Sequence, residues 1–117
     1  MFLEEFRAYC ISFDAVTENF PFDQQTLVFK VHGKMFALCD VEDFKSVNLK
    51  CDPEKAIDLR ERYSGIIPGW HMNKTHWNTV SVQEDVSKEL IFELTKHSYE
   101  LVFSSLPKKL REKNTKI

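Results

Sequence analysis

Apolar side chains change their spacing from one segment of this chain to the next, and each spacing predicts an element. Phe2, Phe6, Tyr9, Cys10 and Phe13 recur at intervals of three or four residues, the period of one helix face, so the first helix covers about residues 2–12 and stops near Ser12-Phe13-Asp14. From Thr26 to Asp40 the pattern becomes two strands around His32-Gly33, where glycine supplies the positive φ of a tight hairpin turn. With Val31 opposite Lys34, the register sets Phe29 against Phe36 and Leu27 against Leu38 on the core side. It sets Lys30 against Met35 and Val28 against Ala37 on the other. A third strand, over about residues 45–51, alternates Val47 and Leu49 with Ser46, Asn48 and Lys50, which continues an antiparallel meander with one apolar and one polar face.

Asp52-Pro53 is a helix start: a carboxylate that accepts from free backbone N–H groups, then a proline at the first helical position. Ala56, Ile57, Leu59, Arg60 and Tyr63 carry that helix toward a stop at Gly65. Pro68-Gly69 and Asn73-Lys74 are turn signals on either side of Trp70-His71-Met72, and Trp77 to Val82 reads as the last strand. Asp85 is the expected cap of a long final helix with a buried stripe of Leu90, Ile91, Leu94, Ser98, Leu101 and Val102, ended by Pro107. The expected fold is α+β, an antiparallel sheet with helices packed on one face, in a single domain over residues 1–107 followed by a basic tail over 108–117.

Composition fits this reading: 117 residues, 43% hydrophobic and 29% charged, with ten Phe but only three Gly and four Pro. The formal charge of -2 offers no overall basic field for nucleic acid, but it is unevenly spread. Residues 1–25 hold Arg7 against Glu4, Glu5, Asp14, Glu18 and Asp23, whereas residues 103–117 hold Lys108, Lys109, Arg111, Lys113 and Lys116 against Glu112. A local basic patch remains open. Cys10, Cys39 and Cys51 are an odd set without a CxxC spacing, and the N-terminus has no basic-then-apolar leader pattern, so a reducing, cytoplasmic protein is expected. No apolar stretch reaches the ~20 residues of a membrane helix.

Chemistry concentrates in two places. The face opposite the Phe29/Phe36 core carries Lys30, Asn48 and Lys50, and one short stretch holds Trp70, His71, Asn73, Lys74, His76, Trp77 and Asn78. Basic, amide and aromatic groups together suit phosphate contact and base stacking. His71 and His76 are five apart, and His32, His97 and Cys51 lie on distant elements, which is not a metal-ligand spacing. No nucleophile elbow, Gly-rich phosphate loop or paired-carboxylate motif is present, so no enzyme, metal or cofactor is expected. His97 and Tyr99 read as contacts between elements.

Several segments together resemble one family. They are Glu18-Asn19-Phe20-Pro21-Phe22, the hairpin strands on either side of His32-Gly33, Val47 to Pro53, Ile67 to Lys74 with His76 to Val80, His97-Ser98-Tyr99, and Leu106 to Lys109. These are similar, over about residues 2–111, to the bacterial MmcQ/YjbR family. That resemblance implies a CyaY-like α+β domain related in shape to frataxin, and DNA binding through a double-wing arrangement of hairpins. Frataxin-like iron binding would need an acidic ridge on the first helix, which offers chiefly Glu4 and Glu5. The leading expectation is a monomeric DNA-binding protein that contacts phosphates through Lys30, Lys34, Asn48, Lys50, Trp70, His71, Asn73, Lys74, His76, Asn78, Lys108 and Lys109. The alternative is a non-enzymatic module that binds a small molecule or a protein with residues 66–78. A concave, partly apolar pocket at Trp70 or Trp77, with His71 and Asn73 converging on it, distinguishes the second from the first.

Overall fold

Helix α1 (Leu3–Ile11) opens the chain in a computed structural model that describes residues 1–112. Its buried residues, Phe6 and Cys10, face the sheet, while Glu5 accepts from Phe2 N and pairs with Lys88 at 3.0 Å. A strand absent from the sequence reading follows: β1 (Val16–Asn19), entered through Ala15 at φ 61°. Only Val16 among its four residues is apolar, so it carries no alternating signal; Glu18 ties it to Arg7 of α1.

Strands β2 (Thr26–Val31) and β3 (Lys34–Asp40) form the expected hairpin. Both turn residues have positive φ, His32 at 47° and Gly33 at 80°, the geometry whose twist matches that of paired strands. Val31 pairs with Lys34 and Lys30 with Met35 as expected, but Phe29 then pairs with Ala37, Val28 with Leu38 and Leu27 with Cys39. Phe36 is therefore the extra residue of a β-bulge. The bulge corrects the expected Phe29–Phe36 and Leu27–Leu38 pairs: Phe36 and Ala37 both point into the helix-side core, and Leu38 joins Val28 on the other face.

Strand β4 (Ser46–Lys50) pairs with β3, helix α2 (Pro53–Arg62) crosses the sheet, and β5 (Ile66–Pro68) and β6 (Trp77–Ser81) complete six antiparallel strands in the order β1-β2-β3-β4-β6-β5. Asp52 caps α2 by accepting from Lys55 N at 3.1 Å. The long helix α3 (Lys88–Ser104) is capped by Ser87, not by Asp85. Asp85 instead accepts from Ser64 N and Gly65 N at 2.9 and 2.8 Å, bonds that hold its carboxyl below the usual range and join the end of α2 to the approach of α3. The start of the basic tail is helix α4 (Lys108–Glu112), whose Leu110 packs against the core; residues 113–117 lie outside those described.

All three longer helices bury apolar residues against one face of the sheet, in a core that includes Phe6, Phe29, Phe36, Leu49, Leu59 and Ile91. The phenylalanine excess is used here: Phe6 meets Phe29 edge-on at 5.9 Å, and Phe13 stacks on Tyr99 at 4.6 Å. Three consecutive residues of α3 then bond to backbone on three separate segments. His97 Nε2 accepts from Asp52 N, Tyr99 Oη donates to Asp14 O, and Ser98 Oγ donates to Phe36 O at 2.6 Å while accepting from Lys50 N at 2.9 Å.

Ser98→Ala should lower the unfolding free energy by about 1–3 kcal/mol, read by urea denaturation, because it strands a buried carbonyl and N–H together. His97 adds a pH dependence. Burial, then the neighbouring Lys55, lowers its pKa from the ordinary 6.5. The unfolded chain therefore binds the proton first, and stability falls as pH drops below about 6.5 until the folded form protonates as well. His97→Gln, which keeps an acceptor for Asp52 N, should flatten that part of the stability–pH curve.

Candidate functional site

Pairing fixes which side chains occupy the sheet face without helices. Lys30 and Met35, Val28 and Leu38, Asn48 and Thr79, and Lys50 and Trp77 are cross-strand partners on this open face. Val28, Leu38 and Trp77 are buried there in a second, small apolar cluster, because Met72 from the β5–β6 loop folds over them beside Met35.

That loop holds its shape through its own polar groups. Asn73 Oδ1 accepts from Thr75 N and His76 N, and Lys74 Nζ donates to Gly69 O at 3.1 Å. Gly69 N donates to Trp77 O at 2.8 Å, and a Cβ at Gly69 would lie 2.8 Å from that of Trp77, so only glycine fits. Arg60 of α2 clamps the base of the loop: its guanidinium donates to Lys74 O, to Trp77 O at 3.2 Å and to Asn78 Oδ1 at 2.7 Å. The opposite side of the loop is tied by Trp70 N donating to Thr79 Oγ1, which in turn donates to Asn48 Oδ1.

Between this loop, residues 22–25 and residues 40–45 lies a cleft of about 890 Å³. Its floor is the open sheet face, with Met35, Leu38, Asn48 and Thr79; its walls include Phe22, Ile67, Trp70, His71 and Asn73. Trp70 is 64% exposed and Phe22 65%, so two large aromatic surfaces face solvent at one concavity. His71, its ring 4.8 Å from that of Trp70, has φ 60°, a strained conformation for a residue with a Cβ. The remaining wall is acidic: Asp23, Asp40 and Asp43 against one ammonium, Lys45, which pairs with Asp43 at 3.3 Å.

The residues expected to contact phosphate are dispersed. Trp70, His71, Asn73 and Asn48 belong to the cleft, and Asn73, Lys74 and Asn48 already bond within the protein. Asn78 corrects the expectation outright: it pairs with Leu49, faces the helices, is 1% exposed and accepts from Arg60. Trp77 is buried under the loop, whereas the His76 side chain is exposed. Lys34 pairs with Val31, on the helix side of the hairpin tip, and Lys108 and Lys109 lie on α4, whose Leu110 packs into the helix-side core. Of the expected cations, Lys30 and Lys50 share the open face, toward the end away from the carboxylates.

The cysteines offer no nucleophile. All three are buried, which pushes the Cys39 thiol up to about 12 and Cys51 to about 11, and Cys10 higher still. Among the described residues no three His, Cys, Asp or Glu side chains converge as a metal site, and no helix is long and apolar enough to cross a membrane.

Known proteins share this fold. The family model described as YjbR matches residues 11–101. The chain belongs to the YjbR family. It is 39% identical to Escherichia coli O157:H7 YbdF over 90 residues, 76% of this chain and 74% of that one. It is 31% identical to YjbR of Escherichia coli K12 over 113 residues, 96% of each. Among solved structures, the Deinococcus radiodurans protein DR2400, of the DUF419 domain, superimposes with a TM-score of 0.90 at 38% identity, covering 96% of this chain and 86% of that one. A Pseudomonas syringae protein does so with 0.73 at 26% identity, covering 87% and 99%. The α+β architecture is thus a family property. The match spans Arg60, the β5–β6 loop and the carboxylates of the cleft.

Sequence reasoning missed Arg60 as the clamp, although an arginine on an otherwise apolar helix stripe was a signal, and missed Phe22 and the carboxylates of the far wall. Arg60→Met should expose the Gly69 and Trp77 amides to faster hydrogen exchange and cost about 1–3 kcal/mol for the buried Asn78 oxygen it leaves unpaired. Arg60→Lys should rescue little of this, since one ammonium does not reproduce the guanidinium fork.

Proposed function

We propose that this YjbR-family protein is a binding module whose site is the cleft on the open face of the sheet. The observation that carries this reading is the concavity itself: a partly apolar hollow of about 890 Å³ in which Trp70, His71 and Asn73 meet Phe22 across a floor of sheet side chains. That volume lies in the range of small-molecule sites, which are typically apolar with a few fixed polar groups. Exposed aromatics and a strained histidine at one wall also fit a site kept for binding, since stability alone favours neither.

Duplex DNA is the weaker reading. It requires several cations placed together on one surface that can reach the phosphates. Here Lys30 and Lys50 share the open face with a hollow walled by Asp23, Asp40 and Asp43, and the basic α4 is on the helix side.

Amide and indole NMR shifts on titrating a small-fragment set should cluster on Leu38, Asn48, Trp70 and Thr79, and Trp70→Ala should abolish them while leaving thermal stability nearly unchanged. The cleft reading fails if no fragment moves these signals. It yields to DNA if mixed duplexes instead shift Lys30, Lys34 and Lys50 with a salt-sensitive affinity tighter than about 100 μM.

A further inference from the structure

We infer that the cleft selects a cationic organic ligand, an ammonium or guanidinium attached to an apolar or aromatic body. The assignment rests on the cleft being the binding site and adds the class of molecule that it takes.

Two independent features of the cavity point to the same charge. The first is aromatic. Trp70 and Phe22 project from loops on different sides of the hollow and leave most of their surface open. The face of an aromatic ring carries negative electrostatic potential, and Trp attracts a cation best. Met35 and Met72 beside them supply polarizable apolar surface for the body of such a ligand.

The second is the charge of the far wall and how firmly it is held. Asp23 accepts from Thr26 N at 2.6 Å and from Gln25 N at 2.8 Å; these bonds hold its carboxyl below the ordinary range, so it stays ionised. Asp40 Oδ1 accepts from Glu42 N and Asp43 N, which fixes the carboxylate, while its second oxygen accepts no hydrogen bond among the described residues. Asp43 pairs with Lys45, the one lysine at the cleft among the described residues. Among the described residues three carboxylates against one ammonium leave the hollow negative, and gathering charges of one sign around a concavity concentrates that field on whatever enters. An anionic ligand would meet repulsion from every carboxylate. A neutral one would leave the charge unanswered.

Three probes of nearly one shape separate charge from shape: 2-phenylethylammonium, 2-phenylethanol and 3-phenylpropionate, each titrated to about 10 mM against the full chain with NMR shifts at Trp70 and Thr79 as readout. The cation should bind at least about tenfold tighter than the anion, and tighter than the alcohol, with an affinity that falls as salt is raised. Asp40→Asn keeps the Oδ1 acceptor for the turn. Combined with Asp43→Asn it should weaken the cation about five- to tenfold and leave the alcohol unchanged. Equal or tighter binding of the alcohol or the anion at these residues overturns the charge assignment and leaves the cleft standing as a site. Absence of any shift at Trp70 and Thr79 with all three probes overturns both.

Discussion

The hydroxyl of Ser98 sits where the regular ladder between β3 and β4 gives out. The bulge at Phe36 takes one residue of β3 out of register, and an extra residue in a strand loses its ladder partners. Ser98 Oγ donates to the Phe36 carbonyl and accepts from Lys50 N, so one helix side chain supplies what the two strands cannot supply to each other. Without it the core would hold an unpaired donor and an unpaired acceptor. The open face depends on this bond. Because the bulge is tolerated, Leu38 points away from the helices and meets Val28 and Trp77, and that apolar patch is what Met72 closes over and what the cleft uses as its floor.

The second constraint acts from the other layer. Arg60 begins on the helix side of the sheet, yet it ends on carbonyls of the loop that shapes the open face. Its contact with Asn78 is made where β6 turns an amide toward the helices, a buried polar group that only a charged, forked donor satisfies together with two carbonyls. With its base held this way and Gly69 packed against Trp77, the loop can present Trp70 and His71 at its rim without apolar burial of their own. Exposed aromatics thus stand on a rigid base, the arrangement that lowers the entropic cost of binding.

Much of the fold was legible because period and punctuation agreed. The hairpin, β4, the Asp52-Pro53 helix start and the stripe of α3 each had two signals, a hydrophobic spacing and a turn or cap residue. Failures came where one signal stood alone. Strand β1 has a single apolar residue and exists because β2 offers it an edge. Asp85 looked like a cap, but Ser87 was two residues closer to the helix, and the carboxylate found backbone N–H groups on another segment. The bulge carries no local mark; it follows from the helix-side core accommodating both Phe36 and Ala37. The site was half visible. Trp70, His71, Asn73 and Asn48 stood out by type, but their partners across the hollow, Phe22, Asp23, Asp40 and Asp43, are distant in sequence and are brought near by strand pairing.

Strand pairing also separates charges that the overall composition conceals. Thr26 pairs with Asp40 at one end of the β2–β3 ladder and Lys30 with Met35 near the other, while Lys50 ends β4 beside Trp77. The open face therefore runs from carboxylates to lysines along its strands, with the cleft at the acidic end. On the helix side, Glu5 and Glu18 of the acidic N-terminal region are answered by Lys88 and Arg7. Exposed pairs of this kind add little stability, but they take two of the five acidic residues of that region out of play. Asp23 is different: its partners are backbone N–H groups and a hydroxyl, which fix the carboxylate without cancelling its charge. A net charge near zero is thus compatible with a strongly polar field at one hollow, because that field depends on which charges are neutralised and not on how many there are.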